Sequence, residues 1–429
     1  MRRSELRWLR IIPAAFLMYT IAYIDRTNFS LAIPSLQREF HLNAQLAGMA
    51  AGVFFFGYFL FQIPGGFLAQ IWSAKRFVFW ALLIWGAFAT LCGLARTSGQ
   101  LLFFRFCLGL GEGGVWPATV VLLANWFPRE ERARANGYWV LCQPLAIVVS
   151  GPLSGWLLDQ YNWRVMFIVQ GILPIVFAAV WWWAVEDRPG QAAWLSSSER
   201  QDIEFRLNNS VPNSTPGSPS GLWHFLRNRN IQLFIVLDIA FACGAYGLLM
   251  WLPSAIRAIH ARSNLEVGIL AAFPYVFACV GSVYNSRHSD RTNERRWHVA
   301  IPCIVAGVSL LLGATAGSRM PLIVIGLLSI TGFGIYASIG PMWALLTEIV
   351  PPQSAGIALG LINGLANLGG FVGPFLVGAL RDATGSFYSG FIFLSACLIA
   401  AGVFAILLRA PVTARIADSA RTLADSSGA

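Results

Sequence analysis

The chain has 429 residues, of which 56% are hydrophobic and only 12% are charged, about half the charged share of a soluble domain. A soluble protein of this length could not bury so much apolar surface, so the composition indicates that lipid covers part of it. The net charge of +10 does not indicate a nucleic-acid partner, because the basic residues lie in short segments between apolar stretches rather than on one polar face.

Several enzyme classes are excluded by the rarer residue types. Lys75 is the only lysine, and it does not follow the glycine spacing of a phosphate-binding P-loop. The seven cysteines lie in apolar stretches without metal-ligand spacing, as expected for small core residues. Since no histidine pair or acidic metal cluster marks a membrane face, we expect neither an enzyme nor a bound metal or cofactor.

Twelve apolar segments follow one another along the chain, and each approaches the roughly 20 residues that a membrane helix needs. The first continues well beyond the apolar core of a signal peptide, so we expect it to be retained as a helix. The pattern predicts an all-α membrane protein with twelve transmembrane helices. The predicted segments are 9–33, 45–70, 77–95, 100–124, 134–158, 163–185, 229–255, 265–287, 298–317, 320–347, 354–380 and 388–409.

A polar stretch at 186–228 separates the first six segments from the last six. Its centre is rich in serine, proline and glycine and cannot bury enough apolar surface to fold alone. We therefore predict an N-terminal six-helix half (1–185), a cytoplasmic linker (186–228) and a C-terminal half (229–410), followed by a disordered cytoplasmic tail (411–429). Within the linker, Ser196 and Glu199 match the capping box of a short surface helix.

The two halves contain an internal repeat. The segment Gly151–Asp159 starts with a Gly-Pro pair, continues with a further glycine and ends with an aspartate, and Gly373–Asp382 follows nearly the same course. Duplicated six-helix halves are typical of transporters with a substrate site near the midplane, between the halves.

The distribution of basic residues predicts the orientation. With both termini in the cytoplasm, the cytoplasmic segments carry 21 of the 30 lysine and arginine residues and the outer loops carry 7. This bias agrees with an even number of helices and with the positive-inside rule. We expect a multi-pass protein of the inner (plasma) membrane.

Four charged residues interrupt the apolar helices: Asp25 and Arg26 in the first, Arg105 and Glu112 in the fourth. Each costs about 2.5–3.5 kcal/mol at a helix centre, so such residues face a bundle interior or a wet cavity. Arg105 and Glu112 are seven residues apart and therefore share a helix face. Two structural ion pairs would explain these charges, but four charges of both signs in one half favour a binding site.

This chemistry suggests an anion coupled to protons. An arginine offers a planar fork that matches a carboxylate, and burial favours the neutral form of a carboxylic acid. Protonation of Asp25 or Glu112 would end its competition with an incoming anion for the arginines. The proton would then be the coupling ion.

Further polar side chains in apolar segments are candidate ligands or interhelical hydrogen-bonding groups. They are Tyr58, Gln143, Asn363 and Asn367. Asp238 in the seventh helix has no evident partner in that helix, and we place it near the cytoplasmic mouth with its role undecided.

The stretch Gly109-x-Gly111-x-x-Gly114 matches a dinucleotide-binding fingerprint. No strand precedes it, and it lies in an apolar helix. We interpret these glycines as sites of close helix packing.

Four sequence stretches resemble the anion:cation symporters of the major facilitator superfamily. They are YIDRTNFSLA at Tyr23–Ala32, FRFCLGLGEGGVWPA at Phe104–Ala118, WFPREERARANG at Trp126–Gly137 and RHSDRTNERRWH at Arg287–His298. The resemblance covers nearly the whole chain and is greatest to organic-acid/proton symporters of the tartrate, sugar-acid and aromatic-acid type.

The resemblance implies specific roles for the residues at matching positions. Asp25 and Glu112 would carry protons, and Arg26 and Arg105 would bind the substrate. The family's tyrosine, glutamine and asparagine ligands match Tyr58, Gln143 and Asn363, and its gate charges match Asp290 and Arg291 in the second half. In the first half, Gln70 stands where the family's gate loop has an aspartate, which weakens the expected latch.

We therefore predict a monomeric secondary transporter that imports a small carboxylate by proton symport, with a sugar acid, a hydroxy-diacid and an aromatic acid all possible. A proton-coupled efflux antiporter or an anion exchanger is the alternative. The antiporter motif is incomplete, because Ile147 and Trp156 replace two of its glycines. A transporter-like sensor is less favoured, because the linker and tail are too short for an output domain.

Overall fold

The computed structural model describes residues 6–209, 227–259, 263–316, 320–350 and 355–408. Within these residues there are fifteen α-helices and a 3-10 turn at Pro189–Gln191. The predicted tail at 411–429 and the linker centre at 210–226 lie outside the described residues. The helices are α1 Leu6–Phe40, α2 Ala44–Ile71, α3 Ala74–Leu94, α4 Ser98–Gly113, α5 Val115–Trp126, α6 Arg129–Val140, α7 Cys142–Gln160, α8 Trp163–Ala184, α9 Ser197–Asn209, α10 Arg229–Ile259, α11 Asn264–Thr292, α12 Arg296–Ala316, α13 Pro321–Ile349, α14 Ala355–Thr384 and α15 Tyr388–Leu407.

The prediction of twelve membrane-spanning helices is confirmed, since the described residues contain 12 spans of sufficient length and apolarity. Two predicted helices are interrupted. The fourth span breaks between α4 and α5, and the fifth between α6 and α7. Pro117 and Pro144 explain both breaks, because a proline ring clashes with the carbonyl four residues earlier. Those carbonyls belong to Gly113 and Val140, the last residues of α4 and α6.

Short polar side chains define where many helices begin. Asn43, Ser73, Thr97, Asn162 and Ser263 each precede a helix and accept a hydrogen bond from its first turn. Such caps satisfy backbone N–H groups that have no partner inside the helix. They fix the point at which each apolar span starts.

The glycines of the dinucleotide-like motif do serve close packing. A Cβ atom at Gly109 would collide with the carbonyl of Phe54, and one at Gly114 with the backbone of Gly65, both in α2. Because α4 and α2 touch through their backbones, the charged residues of α4 are held deep inside the first half.

Two helix pairs join the halves at one end of the molecule. In α7 and α11, the backbones of Gly151 and Gly268 are in direct contact, and in α2 and α14 Gly48 contacts Pro374 in the same way. Because the spans alternate in direction, the ends of α7 and α14 and the starts of α2 and α11 all lie on one face.

Two aspartates complete these contacts, one from each copy of the internal repeat. Asp159 accepts hydrogen bonds from the backbone of α11 at Asn264 (2.9 Å) and Leu265 (2.8 Å). Asp382 accepts from the start of α2, at 2.9 and 2.7 Å. A carboxylate at a helix N-terminus is stabilised by the helix dipole. We call this end the capped face; the opposite end, which carries Lys75, Arg132 and Arg295, is the basic face.

The start of the linker packs on the basic face of the first half. Ser196 and Glu199 form the predicted capping box before α9, with hydrogen bonds of 3.0 and 3.3 Å. Arg206 of α9 contacts Glu131 at 2.8 Å, and Lys75 contacts Glu186 at 2.9 Å. The first contact holds α9 against the bundle, and the second joins the start of the linker to α3.

Candidate functional site

A cavity lies between the two halves, where the internal repeat predicts a substrate site. Its walls are formed by α1, α2, α5 and α7 from the first half and by α10, α11, α13 and α14 from the second. Its empty volume is about 960 Å³ when the solvent at the open mouth is included. Six tyrosines and the facing Trp116 and Trp343 make the lining strongly aromatic.

Arg26 is the cation in the first half's wall. Tyr19, Tyr23 and Arg26 line the cavity together, as their helical spacing predicts. The Arg26 guanidinium lies 4.8 Å from the ring centres of Tyr23 and Tyr58, close enough for cation–π attraction. This packing holds the planar group against the cavity wall.

Behind Arg26 lies Glu112, which is fully buried. Arg26 Nε donates to Glu112 Oε1 at 2.8 Å, and Nη2 contacts the same oxygen. The other carboxylate oxygen, Oε2, is buried and has no hydrogen-bond partner in the described part of the chain. Glu112 is therefore bonded to Arg26 through one oxygen and has an unused acceptor.

The four predicted charges form one buried cluster. Asp25 is electrostatically coupled to Glu112 and Arg105, and Glu112 to Arg26 and Arg105. Asp25 lies near the Trp85 indole, but neither of its oxygens has a hydrogen bond of normal geometry among the described residues. Two positive and two negative groups make a formally neutral cluster.

Arg105 and Asp25 do not reach the cavity, because they lie behind its wall. Arg105 points at the carbonyls of Ala50 and Ala51, at 3.4 and 3.5 Å, and its guanidinium lies 4.3 Å from the Phe29 ring centre. The shared face of Arg105 and Glu112 packs within the first half. The structure therefore places Arg26, and not Arg105, where it can contact a substrate.

The predicted polar ligands do reach the cavity: Tyr58, Gln143 and Asn363 all line it. The Tyr58 hydroxyl lies 3.4 Å from that of Tyr19. Gln143 lies just after the break between α6 and α7, which brings its side chain to the wall.

Asn367 also lines the cavity, but its amide is engaged in structural hydrogen bonds. Its Nδ2 donates to Gln62 Oε1 across the halves at 3.2 Å and to the carbonyl of Asn363 at 2.6 Å. The interhelical interpretation of Asn367 therefore has direct support, and Gln62 is a partner that the sequence did not indicate.

The wall formed by the second half contains residues that the sequence did not identify as cavity residues, and one that it placed elsewhere. Asp238 lines the cavity itself, with only 5% of its surface exposed. Trp343 stacks against Trp116 across the halves with ring centres 6.0 Å apart. Tyr275 and Tyr336 complete this wall, and nothing in their spacing distinguishes them from ordinary core aromatics.

The predicted gate residues lie at the basic face, in the last turn of α11 rather than in a loop. Asp290 accepts from Arg295 at 2.7 Å, and Arg295 also approaches Glu348 at 3.4 Å. All three belong to the second half. At the corresponding end of α2, Gln70 is exposed.

A family model described as Major Facilitator Superfamily matches residues 15–374 and 263–426. The chain belongs to the major facilitator superfamily. This superfamily member is therefore a multi-pass membrane transporter and not an enzyme.

Two relatives and one solved structure show which known proteins the chain is similar to. It is 31% identical to a putative tartrate transporter of Agrobacterium vitis, over 93% of this chain and 89% of the relative. It is 28% identical to a quinolone resistance transporter of Acinetobacter baumannii, over 91% of each. A D-xylose–proton symporter structure shares the fold, with a TM-score of 0.76 at 15% identity, covering 94% of this chain and 98% of the other.

Proposed function

We propose that this superfamily member imports a small carboxylate together with protons across the inner membrane. The observation that carries the proposal is the position of Arg26. It lies in the wall of a cavity between the two halves and is bonded to a buried carboxylate on the side away from the cavity. An arginine fork that faces an aromatic cavity is suited to a carboxylate ligand.

Competition between Glu112 and the substrate would couple the two ions. While Glu112 is ionised, it neutralises Arg26. When Glu112 takes up a proton, Arg26 regains its full charge towards the cavity and binds the anion. Since a buried arginine without a counter-ion is costly, protonation and anion binding favour each other.

The contacts between the halves fit an alternating-access cycle. The capped face is closed by backbone contacts and by Asp159 and Asp382. With both termini in the cytoplasm, as the basic residues favour, this arrangement is closed to the outside. One chain supplies both walls of the cavity, so we propose that it works as a monomer.

The substrate class follows from the two walls. Arg26 favours a carboxylate, and the tyrosine hydroxyls and the Gln143 amide offer hydrogen bonds to hydroxyl groups. The similarity to the putative tartrate transporter supports a hydroxylated acid. The aromatic lining also accommodates a ring, so sugar acids, hydroxy-diacids and aromatic acids belong in the first panel.

Uptake into proteoliposomes tests the proposal. Purified protein is reconstituted, an inward proton gradient is imposed, and a panel of radiolabelled carboxylates that starts with tartrate is added outside. We expect accumulation of at least one carboxylate, and we expect a protonophore to abolish it. Absence of proton-dependent uptake across the panel would refute the import function.

Proton-coupled efflux is the second candidate, because the quinolone resistance relative and the aromatic lining both suit a planar drug. The same vesicles distinguish the two. If an inward proton gradient expels a preloaded quinolone and gives no carboxylate uptake, the transporter is an antiporter.

A further inference from the structure

Asp238 lies in α10, on the wall of the cavity that the second half provides. Its neighbours in sequence are apolar, from Phe234 to Phe241. Only 5% of its surface is exposed, and that part belongs to the cavity lining. The residue is therefore an intramembrane carboxyl group in contact with the transport route.

Nothing in the described part of the chain compensates a negative charge at Asp238. No hydrogen bond or ion pair of the described residues reaches its carboxylate. Glu112 and Asp159 differ, since Glu112 is paired with Arg26 and Asp159 accepts backbone hydrogen bonds. A buried carboxylate without such partners favours its neutral, protonated form.

The groups that share the cavity with Asp238 strengthen this preference. From α1 they are Tyr19, Tyr23 and Arg26, and from the other walls they are the tyrosines at positions 58, 246, 275 and 336. Phenols are neutral at physiological pH. While Glu112 balances the charge of Arg26, an ionised Asp238 would give the cavity a net negative charge. Once Glu112 is protonated, an ionised Asp238 would compete with the carboxylate for Arg26.

We propose that Asp238 is a further proton-binding group of the transport cycle, in addition to the carboxylates of the first half, and that it acts from the wall opposite Arg26. The protonated carboxyl donates a hydrogen bond to the bound anion and travels neutral through the cycle. It releases its proton to water once the anion has left. The inference rests on the proposed proton-coupled import and adds to it a proton that is independent of Glu112.

Infrared difference spectroscopy tests the protonation state without a substrate. Purified protein is titrated across neutral pH, and the C=O stretch of protonated carboxylic acids is compared between the wild type and Asp238→Asn. We expect a band of a protonated carboxylic acid that titrates in the wild type and is missing in the variant. Identical spectra would overturn the proposal. Asp202→Asn, on the exposed surface of α9, is the matched control and should leave the band unchanged.

Proton stoichiometry tests the role in transport. With tartrate as the probe, the pH gradient that just balances a known tartrate gradient is measured in proteoliposomes. We expect Asp238→Asn to lower the coupling by about one proton per tartrate and Asp238→Glu to retain the wild-type value. Unchanged stoichiometry in Asp238→Asn would contradict the inference while leaving proton-coupled import intact. Where tartrate uptake ignores the pH gradient, the measurement is made with another carboxylate of the panel. If none gives proton-dependent uptake, the import function fails, and the inference about Asp238 fails with it.

Should Asp238→Asn prove unstable, the infrared titration is repeated with Asp238→Glu. The longer side chain moves the carboxyl group into a different surrounding, so we expect the band to persist at a shifted titration midpoint. A midpoint identical to that of the wild type would assign the band to another residue and refute the proposal.

Discussion

The two halves of the transporter are mechanically alike but chemically unlike. Each half ends a helix with an aspartate that caps the first turn of a helix in the other half, Asp159 on α11 and Asp382 on α2. The centres differ: the first half contains Arg26 and Glu112 as a buried pair, whereas among the described cavity residues of the second half Asp238 is the one charged group.

This difference indicates that the residues that hold the halves together are distinct from the residues proposed to bind the substrate. Capping and glycine contacts repeat because both halves must pack and rock in the same way. The charges do not repeat, and in the proposed function a single anion needs a single cation. That proposal assigns recognition to the first half, and the variants described next would show whether the division holds.

Removing the cation should have the largest effect. Arg26→Ala leaves Glu112 buried without its partner and removes the anion ligand, a loss of about 2–5 kcal/mol for such a pair. We expect carboxylate uptake in proteoliposomes to fall to background. Arg96→Ala, an exposed arginine at the capped face, should transport like the wild type. Normal uptake by Arg26→Ala would mean that the anion is held elsewhere.

Substitution of Glu112 should distinguish substrate exchange from proton-driven accumulation. Glu112→Gln mimics the protonated acid permanently, so Arg26 is always available to the anion. We expect substrate exchange to continue while proton-driven accumulation is lost, as measured by counterflow and by net uptake. Glu130→Gln changes an exposed carboxylate and is the control. Accumulation by Glu112→Gln at the wild-type level would move coupling to another group.

Because both halves use the same kind of helix cap, we expect loss of either cap to open the capped face to a similar, smaller extent. Asp159→Asn and Asp382→Asn each weaken a helix cap, which is worth about 0.5–2 kcal/mol. Each should shift the conformational equilibrium towards a capped face that is open. Spin labels at Gln100 and Ala383, one in each half, would report the shift as a longer distance. Unequal shifts would show that the halves are not mechanically alike.

Substitution of Arg105 should have the smallest effect on uptake, because Arg105 lies behind the cavity wall and not in it. Arg105→Lys retains a positive charge near Asp25, so we expect the Michaelis constant for uptake to change by less than about threefold, as for a group without substrate contact. Arg26→Lys should lose far more, because an ammonium group cannot replace the planar fork. A large rise for Arg105→Lys would support the direct contact that the family resemblance implies.

The sequence was sufficient for the helices because hydropathy over about 20 residues is a strong signal. It was also sufficient to predict that Arg26, Tyr58, Gln143 and Asn363 line one cavity, because each is a polar or charged side chain in an apolar segment. The breaks before Pro117 and Pro144 were missed, although each proline was visible, because apolar composition continues through both.

The positions of Arg105 and Asp238 could not be predicted for a different reason. Helical spacing shows that Arg105 and Glu112 share a face, but not which neighbour that face meets. Only the tertiary packing of α4 on α2 decides that Arg105 lies behind the wall. For Asp238 the position along α10 was known, but whether it faced lipid, another helix or the cavity depended on how the second half is assembled.

The contact between Gly151 and Gly268 has a practical consequence. Because two backbones touch there without side chains, a single leucine at position 268 would act as a wedge and hold the capped ends apart. Such a variant would no longer alternate between the two sides of the membrane, and its cavity would stay open at the capped face. It would provide a stable target for raising conformation-selective antibodies and for imaging the opposite state.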